Sequence, residues 1–326
     1  MHIPHTGPAK EPIKRNGRPK VAVFLRATLR INTYFSAARQ RPAVGARVLF
    51  GAACEAMSRK SEIFSYLRRM TSLFPDIIFG PVRSRRLGLS LGVNLLPPES
   101  KLCSFDCIYC ECGWNAEHPG PRRFNARTDV RDRLESVLRR MAADGTPPDV
   151  ITFAGNGEPT LYPEFEAVID DTLALRDALC PTAKVSVLSN ATQLHRDDVR
   201  RALLRVDNNI LKLDSAFDAT ARRMNHPQNP AYTVRGVVGQ MKRFEGRMIL
   251  QTMFLRGTCN GELVDNTTEE EVAAWLRLVD EIRPRQVMVY SLDRDTPCPT
   301  LEKVCREELQ AIAVRVEALG IPCSVA

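Results

Sequence analysis

Short apolar, β-branched runs alternate with amphipathic stretches along most of this 326-residue sequence. Six runs follow Phe74, and a stretch with helical periodicity separates each run from the next. This alternation predicts an α/β fold with a parallel sheet and right-handed crossover helices, either open and doubly wound or curled into a barrel. In both arrangements the chemistry lies at the carboxyl ends of the strands. The predicted strands are Gly92–Leu96, Val150–Phe153, Lys184–Leu188, Asn209–Leu213, Arg247–Phe254 and Arg285–Tyr290, and the predicted helices are Asp129–Ala143, Pro163–Ala178, Arg196–Leu204, Tyr232–Phe244, Glu269–Ile282 and Thr300–Leu319.

The first 70 residues differ in composition from the rest of the chain. They hold 14 Lys and Arg against 3 Asp and Glu, a net charge of +11, whereas the remainder holds 32 basic and 35 acidic residues and carries −3. Residues 1–70 are therefore predicted to be a basic N-terminal extension, poorly ordered or partly helical, and residues 71–326 to form the core domain. This composition is typical of four kinds of segment, and all four stay open. They are a disordered arm, sequence translated upstream of a true start at Met57 or Met70, a transit-type peptide and a nucleic-acid-binding arm.

Four of the ten cysteines lie within ten residues, directly after the first predicted strand. Disulfide frameworks are typical of small secreted domains, and the sequence shows neither an export signal nor an apolar run of membrane-spanning length. We therefore expect a cytoplasmic protein, with no membrane segment, whose clustered thiols bind metal. Cys103, Cys107 and Cys110 have the spacing C-x3-C-x2-C, and three thiolates on one loop can ligate three corners of a [4Fe–4S] cubane and leave one iron open.

Other chemistries for these thiols stay open. Structural zinc usually takes paired C-x2-C units with a longer gap between them, and no second pair follows here. Cys112 as a fourth ligand would give a closed cluster suited to electron transfer. The remaining cysteines of the core show no tight spacing, and we interpret four of them as structural or incidental: Cys259, Cys298, Cys305 and Cys323.

Tyr109, an aromatic residue directly before the third cysteine, completes a loop that resembles the signature of the radical S-adenosylmethionine (radical SAM) superfamily. The resemblance implies a parallel-stranded partial (β/α)6 TIM-like barrel. It also implies that Cys103, Cys107 and Cys110 bind a [4Fe–4S] cluster and that the amino and carboxylate groups of S-adenosylmethionine occupy the fourth iron. Tyr109 is then expected to lie near the adenine.

A glycine-rich turn, Gly155-Asn156-Gly157-Glu158-Pro159, follows the second predicted strand. Glycines allow the backbone to approach a ligand closely, and the Glu158 carboxylate can accept a charge-assisted hydrogen bond from an ammonium group. The turn resembles the family's glycine-glycine-glutamate-proline element, which implies that Gly155, Gly157 and Glu158 hold the methionine amino group. It departs from that element because Asn156 separates the two glycines.

Polar residues also end the next strands. Ser189 and Asn190 follow the third predicted strand, and Asp214 follows the fourth. Turn and cap chemistry alone favours Ser, Asn and Asp at such positions. The resemblance implies that these three residues bind the ribose or the methionine part of S-adenosylmethionine, and Gln251 and Thr252 are expected to line a substrate or adenine pocket.

The resemblance also implies an activity. A one-electron donor of the flavodoxin or ferredoxin type reduces the cluster, S-adenosylmethionine is cleaved to methionine and a 5′-deoxyadenosyl radical, and the radical abstracts hydrogen from a substrate. The element Phe79–Gly88, with three arginines within Arg83–Arg86, resembles a subgroup that includes relatives of the tRNA wyosine-base-forming enzymes. A tRNA base is therefore one candidate substrate. The alternatives are an iron–sulfur electron-transfer protein that does not cleave S-adenosylmethionine and a zinc-containing nucleic-acid binder.

Overall fold

The computed structural model describes residues 73–84, 88–120 and 123–326. The extension predicted at residues 1–70 lies outside this part of the chain, as do Arg85 and Arg86, so those predictions stay untested. Eleven strands occur in the described residues: β1 (Ile78–Ser84), β2 (Gly88–Val93), β3 (Val150–Phe153), β4 (Lys184–Ser189), β5 (Asn208–Lys212), β6 (Ile249–Met253), β7 (Leu255–Cys259), β8 (Glu262–Asp265), β9 (Gln286–Tyr290), β10 (Leu301–Lys303) and β11 (Cys323–Val325).

Eight of these strands form one sheet in the order β1-β2-β3-β4-β5-β6-β9-β11. Strand β1 is antiparallel to β2, and every other pair in this sheet is parallel. The remaining three form a small antiparallel sheet in the order β10-β7-β8. The helices of the described residues are α1 (Arg127–Ala143), α2 (Phe165–Leu179), α3 (Asp197–Leu203), α4 (Asp218–Asn225), α5 (Val234–Lys242), α6 (Glu269–Ile282) and α7 (Arg306–Glu317).

The helices cross between successive parallel strands. Helices α1, α2 and α3 connect β2 to β3, β3 to β4 and β4 to β5; α4 and α5 both lie between β5 and β6; α6 lies between β6 and β9, and α7 between β9 and β11. This is the predicted α/β arrangement, and it directs the carboxyl ends of the parallel strands to one side of the sheet. Within the described residues, every helix is too short or too polar to cross a membrane.

All six predicted strands and all six predicted helices are present; the strand Val150–Phe153 and the helix Glu269–Ile282 have the predicted ends, and the ends of the others are shifted. The first parallel strand is Gly88–Val93 rather than Gly92–Leu96. The last predicted helix begins at Arg306 rather than Thr300, because Leu301–Lys303 pairs with β7 as β10. Strand β1, the small sheet, α4 and the final strand β11 were not predicted.

The large sheet separates two apolar regions. Leu211 of β5 packs with the helices in the main core. Because successive side chains of a strand point to opposite faces, its neighbour Ile210 lies on the other face of the sheet. There it belongs to a small separate cluster, which consists of Leu188, Ile210, Ile249 and Met288.

The carboxyl end of this inner face is polar. Each of three strands that contribute to the small apolar cluster carries a polar residue two positions further on: Lys212 in β5, Gln251 in β6 and Tyr290 in β9. By the same alternation these side chains lie above the cluster on the same face. At its carboxyl end, this inner face of the sheet therefore carries polar side chains above the small apolar cluster.

One disulfide joins the small sheet to the segment after β9. Cys259 of β7 is bonded to Cys298, and both side chains pack in an apolar cluster with Tyr109 and Met253. The spacing of the cysteines did not predict this pairing, since the two residues lie 39 positions apart.

Asn266, directly after β8, connects three segments at the carboxyl end of the sheet. Its buried side-chain amide donates to the carbonyl oxygens of Asp214 and Met253, both at 2.7 Å. Its side-chain oxygen accepts the backbone N–H of Leu255 at 2.9 Å. Asn266 therefore fixes the segment after β5 against the junction of β6 and β7.

Replacement of Asn266 by Ala should lower the free energy of unfolding by about 3 kcal/mol, because three buried backbone groups lose their partner. Urea denaturation measures this change. The matched control is Asn229→Ala, since the exposed Asn229 side chain accepts a single hydrogen bond from Ala231; its effect should stay within about 0.5 kcal/mol. Equal midpoints for the two variants would contradict the role given to Asn266.

Candidate active site

The cysteine loop lies beyond the carboxyl end of β2 and is held by the end of α4. Its four thiols are free; those of Cys103, Cys107 and Cys110 are half-buried, and that of Cys112 is buried. The backbone N–H of Asp106 donates to the carbonyl oxygen of Asn225 at 2.9 Å, and that of Ile108 donates to Met224 at 3.0 Å. Sequence reasoning missed this support because α4 was not predicted.

The start of the loop is paired with the glycine-rich turn. Leu102 donates its backbone N–H to Asn156 at 2.9 Å, and its carbonyl oxygen accepts from the N–H of Glu158 at 3.1 Å. Gly157, between them, has φ +137°, and a Cβ atom there would overlap the carbonyl oxygen of Leu102. Only glycine allows this approach, which sets the cysteine loop beside the turn after β3.

Asn156, the residue that separates the two glycines, has a structural role. Its side-chain amide donates to the carbonyl oxygens of Phe74 and Pro97, both at 2.9 Å, and its side-chain oxygen accepts the N–H of Phe74 at 2.7 Å. The side chain is fully buried. Asn156 thus explains why the two glycines of this turn are not adjacent: its side-chain amide holds the segment before β1 against the segment after β2.

Glu158 is the centre of a buried network on one side of the cysteine loop. One carboxylate oxygen accepts from Thr160 and from the hydroxyl of Ser189 at 2.8 Å, and the other accepts the backbone N–H of Asn190 at 2.6 Å. Burial raises the pKa of Glu158, while the hydrogen bonds from Thr160 and Asn190 oppose that rise. The predicted residues Glu158, Ser189 and Asn190 are therefore in direct contact.

Asp214 is the centre of a second network on the other side. The hydroxyl of Tyr109 donates to its carboxylate, and the Asn225 amide donates to Asp214 and to the Tyr109 oxygen, both at 2.8 Å. The Lys212 ammonium lies 3.1 Å from the Tyr109 oxygen and 3.2 Å from that of Tyr290. Burial and the Asp214 charge raise the pKa of Tyr109 well above its usual value, so its phenol stays neutral and donates.

Side-chain amides connect both networks to the thiols. Asn190 Nδ2 lies 3.6 Å from Cys103 Sγ, and Asn225 Nδ2 lies 3.5 Å from Cys107 Sγ. These amides come from different elements, the end of β4 and the end of α4, and both can donate to a thiolate. Hydrogen bonds to ligand sulfurs are one means by which proteins set the potential of an iron–sulfur cluster.

Comparison with known proteins shows the family to which this sequence belongs. The family model described as the Radical SAM superfamily matches residues 100–265, a little over half of the chain. The chain belongs to the radical SAM superfamily. Its predicted fold class, an α/β partial barrel of parallel strands, is confirmed.

Relatives of this radical SAM protein include proteins described as UPF0026. One from Helicobacter pylori is 30% identical over 247 residues, which is 75% of each chain. Another, from Methanocaldococcus jannaschii, is 30% identical over 214 residues, 64% of this chain and 61% of that protein. A Brachyspira hyodysenteriae protein named GTPase Obg is 28% identical over 249 residues, 74% of this chain and 33% of that protein. The chain thus spans less than two thirds of the last two relatives.

Two solved structures share the fold. A radical SAM methyltransferase from Sphaerobacter thermophilus superposes with a TM-score of 0.54 at 16% identity, over 73% of this chain and 65% of that chain. TYW1 with a lysine-pyruvate adduct bound superposes with a TM-score of 0.50 at 14% identity, over 70% of this chain and 73% of that chain. At these identities the similarity concerns the fold.

The thiols fit the cluster that radical SAM proteins carry. Three free, half-buried cysteines with the spacing C-x3-C-x2-C share one loop, and amide donors approach two of them. In the described part of the chain, no three His, Cys, Asp or Glu side chains converge as they would on a single metal ion. Three thiolates of a cubane bind three different irons, so they do not need to converge on one point.

Lys101 is a buried cation behind the same loop. Its side chain is 1% exposed, and the ammonium donates to the carbonyl oxygen of Gly113 at 2.5 Å and to Asp106 at 3.2 Å. Burial alone would lower the pKa of Lys101, but the nearby thiols of Cys110 and Cys103 and the Asp106 carboxylate raise it. The lysine therefore remains charged beside the predicted ligands.

Sequence reasoning missed three residues of this site: Lys101, Lys212 and Asn225. Lys212 could have been predicted from the sequence, because it lies two residues before Asp214 at the end of a predicted strand. No spacing relates Asn225 to the cysteine loop, since it lies 116 residues after Tyr109. Thr252, expected to line a pocket, instead donates to the carbonyl oxygen of Leu213 at 2.8 Å.

Replacement of Gly157 by Ala should lower the free energy of unfolding by about 3 kcal/mol, because the new Cβ strains the backbone and overlaps Leu102. The control is Gly239→Ala within α5, where nothing lies within 4 Å of the added atom; it should stabilise the protein by about 0.5–1 kcal/mol. Urea denaturation of the metal-free protein compares them. An unchanged midpoint for Gly157→Ala would refute the close approach.

Proposed function

We propose that this chain is a radical SAM enzyme in which Cys103, Cys107 and Cys110 hold a [4Fe–4S] cluster next to a site for S-adenosylmethionine. The observation that carries the proposal is the position of three free thiols on one loop between two networks of buried polar residues. When bound, the cluster supplies the electron that splits S-adenosylmethionine into methionine and a 5′-deoxyadenosyl radical, which abstracts hydrogen from the substrate.

Glu158 is proposed to bind the methionine ammonium group. Its second carboxylate oxygen accepts one hydrogen bond, from Asn190, and a carboxylate oxygen has capacity for a further one. The bonds from Ser189 and Thr160 fix the other oxygen, so the group is oriented before a ligand binds. Gly155 and Gly157 contribute a turn without Cβ atoms, which allows the ligand to approach the backbone.

The second network is proposed to contact the nucleoside part. Tyr109 lies next to the adenine, and Asp214 is held by the N–H of Met253 at 3.0 Å and by Asn225. The charge of Lys212 is fixed because Asp214 offsets the cost of its burial and raises its pKa. The small apolar cluster beneath Lys212 separates the reacting groups from water at the amino ends of the strands.

The proposed partners of the chain are an electron donor and a substrate. Radical SAM enzymes need an electron donor, and a flavodoxin- or ferredoxin-type protein in the cytoplasm is the donor we propose. The substrate stays open; a tRNA base is one candidate, supported by the exposed Arg83 on β1 and the two arginines that follow.

The proposed activity predicts that the anaerobically reconstituted protein releases 5′-deoxyadenosine when dithionite and S-adenosylmethionine are added. Chromatography of the quenched reaction measures the product. A stable cluster without release would instead identify an iron–sulfur electron-transfer protein, and a colourless protein that binds zinc would remove both iron-based functions.

The ligand assignment predicts opposite results for two cysteines of the loop. Cys107→Ala should lose iron and the absorbance of the cluster, because one iron loses its thiolate. Cys112→Ala should keep both, with activity within about tenfold of the unchanged protein, because the Cys112 thiol donates to the Gly155 carbonyl oxygen at 3.5 Å and is outside the proposed ligand set. Equal iron loss in both variants would show that the ligand set is wrong.

A further inference from the structure

A cavity of about 500 Å³ lies beside the start of the cysteine loop, outside the set of residues proposed to bind S-adenosylmethionine. Its walls come from the start of the loop, from the segment after Asn115 and from Leu161. Pro119, Gly120 and Gln228 are exposed at its rim. The cavity is therefore open to a molecule approaching from solvent.

The lining of this cavity distinguishes it from the proposed S-adenosylmethionine site. Among the described residues that form its wall, Cys103 is a proposed cluster ligand, and none is a residue proposed to bind S-adenosylmethionine. A group in this cavity would lie next to Cys103 without contacting a residue proposed to bind S-adenosylmethionine. A substrate must meet the cofactor radical, whereas an electron donor needs only a short path to the cluster.

Two residues of the cavity wall each have a polar atom that lacks a partner within the described residues. The two atoms are Nε2 of His118 and the side-chain oxygen of Asn115, and both are buried. A buried polar atom without a hydrogen bond costs about 1–3 kcal/mol, unless something outside the chain satisfies it. Asn115 and His118 are therefore the residues of this wall whose hydrogen bonding is incomplete.

Lys101 lies in the same wall, and its buried ammonium group forms an ion pair with Asp106 at 3.2 Å. Reduction adds one negative charge to the cluster, and a buried ammonium group nearby stabilises that charge strongly because the local dielectric constant is low. The cation therefore favours the reduced state of the cluster.

From these observations we propose that the cavity beside Cys103 is the docking site of the one-electron donor protein. The inference rests on the proposed function, since it assigns the route by which the cluster is reduced. A surface loop of the donor contacts the exposed rim at Pro119, Gly120 and Gln228, enters the cavity and brings its redox group close to Cys103. One electron passes from the donor to the cluster, so the donor is oxidised and the cluster is reduced, with no bond formed or broken.

The test fills the cavity and compares two reductants. Leu161→Trp blocks the wall and Gln228→Trp blocks the rim, and neither residue belongs to the proposed cluster or cofactor site. Leu263→Trp is the matched control, because Leu263 is 69% exposed on β8 in the small sheet. The reconstituted proteins are mixed anaerobically with flavodoxin hydroquinone or with dithionite, and stopped-flow absorbance records reduction of the cluster.

We expect both cavity variants to be reduced by flavodoxin at least about tenfold more slowly than the unchanged protein, as is usual when a docking surface is disrupted. Their reduction by dithionite, and both rates of the Leu263 variant, should change by less than about twofold, within the spread expected away from an interface. Unchanged flavodoxin rates, or an equal loss with both reductants in both variants, would overturn the docking site. Failure of the proposed function is separate: it appears as no 5′-deoxyadenosine from the unchanged protein with dithionite.

Discussion

The contact between Leu102 and Gly157 is the constraint on which the rest of the site depends. Strands β2 and β3 are parallel neighbours, so the segments that leave them start side by side. The hydrogen bonds of Leu102 then draw the first segment onto the second, which sets Cys103 beside Glu158 and Asn190. With any side chain at position 157, the two backbones could not approach in this way, and the thiols would lose their fixed relation to the turn.

Buried charges at this site are held by partners of opposite charge or by hydrogen bonds. Asp106 accompanies Lys101, and the Lys212 ammonium lies 3.8 Å from Asp214. Glu158 has no cation beside it among these contacts and relies on hydroxyl and backbone donors. Burial of such groups without partners would cost several kcal/mol each. These partners therefore allow ionised groups to be buried beneath the cysteine loop. Oriented charges of this kind need little rearrangement when a charged ligand binds.

The parallel α/β core could be predicted from the sequence because its pattern is local. Helix α6 was predicted with its true ends, since Thr268 caps it and three glutamates follow in its first turn. The error at Thr300 has a tertiary cause: the residues after it pair with β7, a contact that helical periodicity does not contain. Helix α4 has only eight residues, too few for a clear periodic signal.

For the site, the sequence predicted the residues at strand ends but not their contacts. Asp214 and Tyr109 are 105 positions apart, and Asn225 and Cys107 are 118 apart, so only the closed fold brings them together. The same fold separates two surfaces of the cysteine loop. Cys103 borders the cavity beside the loop, whereas Tyr109 lines a different pocket together with Met253 and Tyr290 at the ends of β6 and β9. The two pockets share no lining residue, so an electron donor at the first surface would leave the second free.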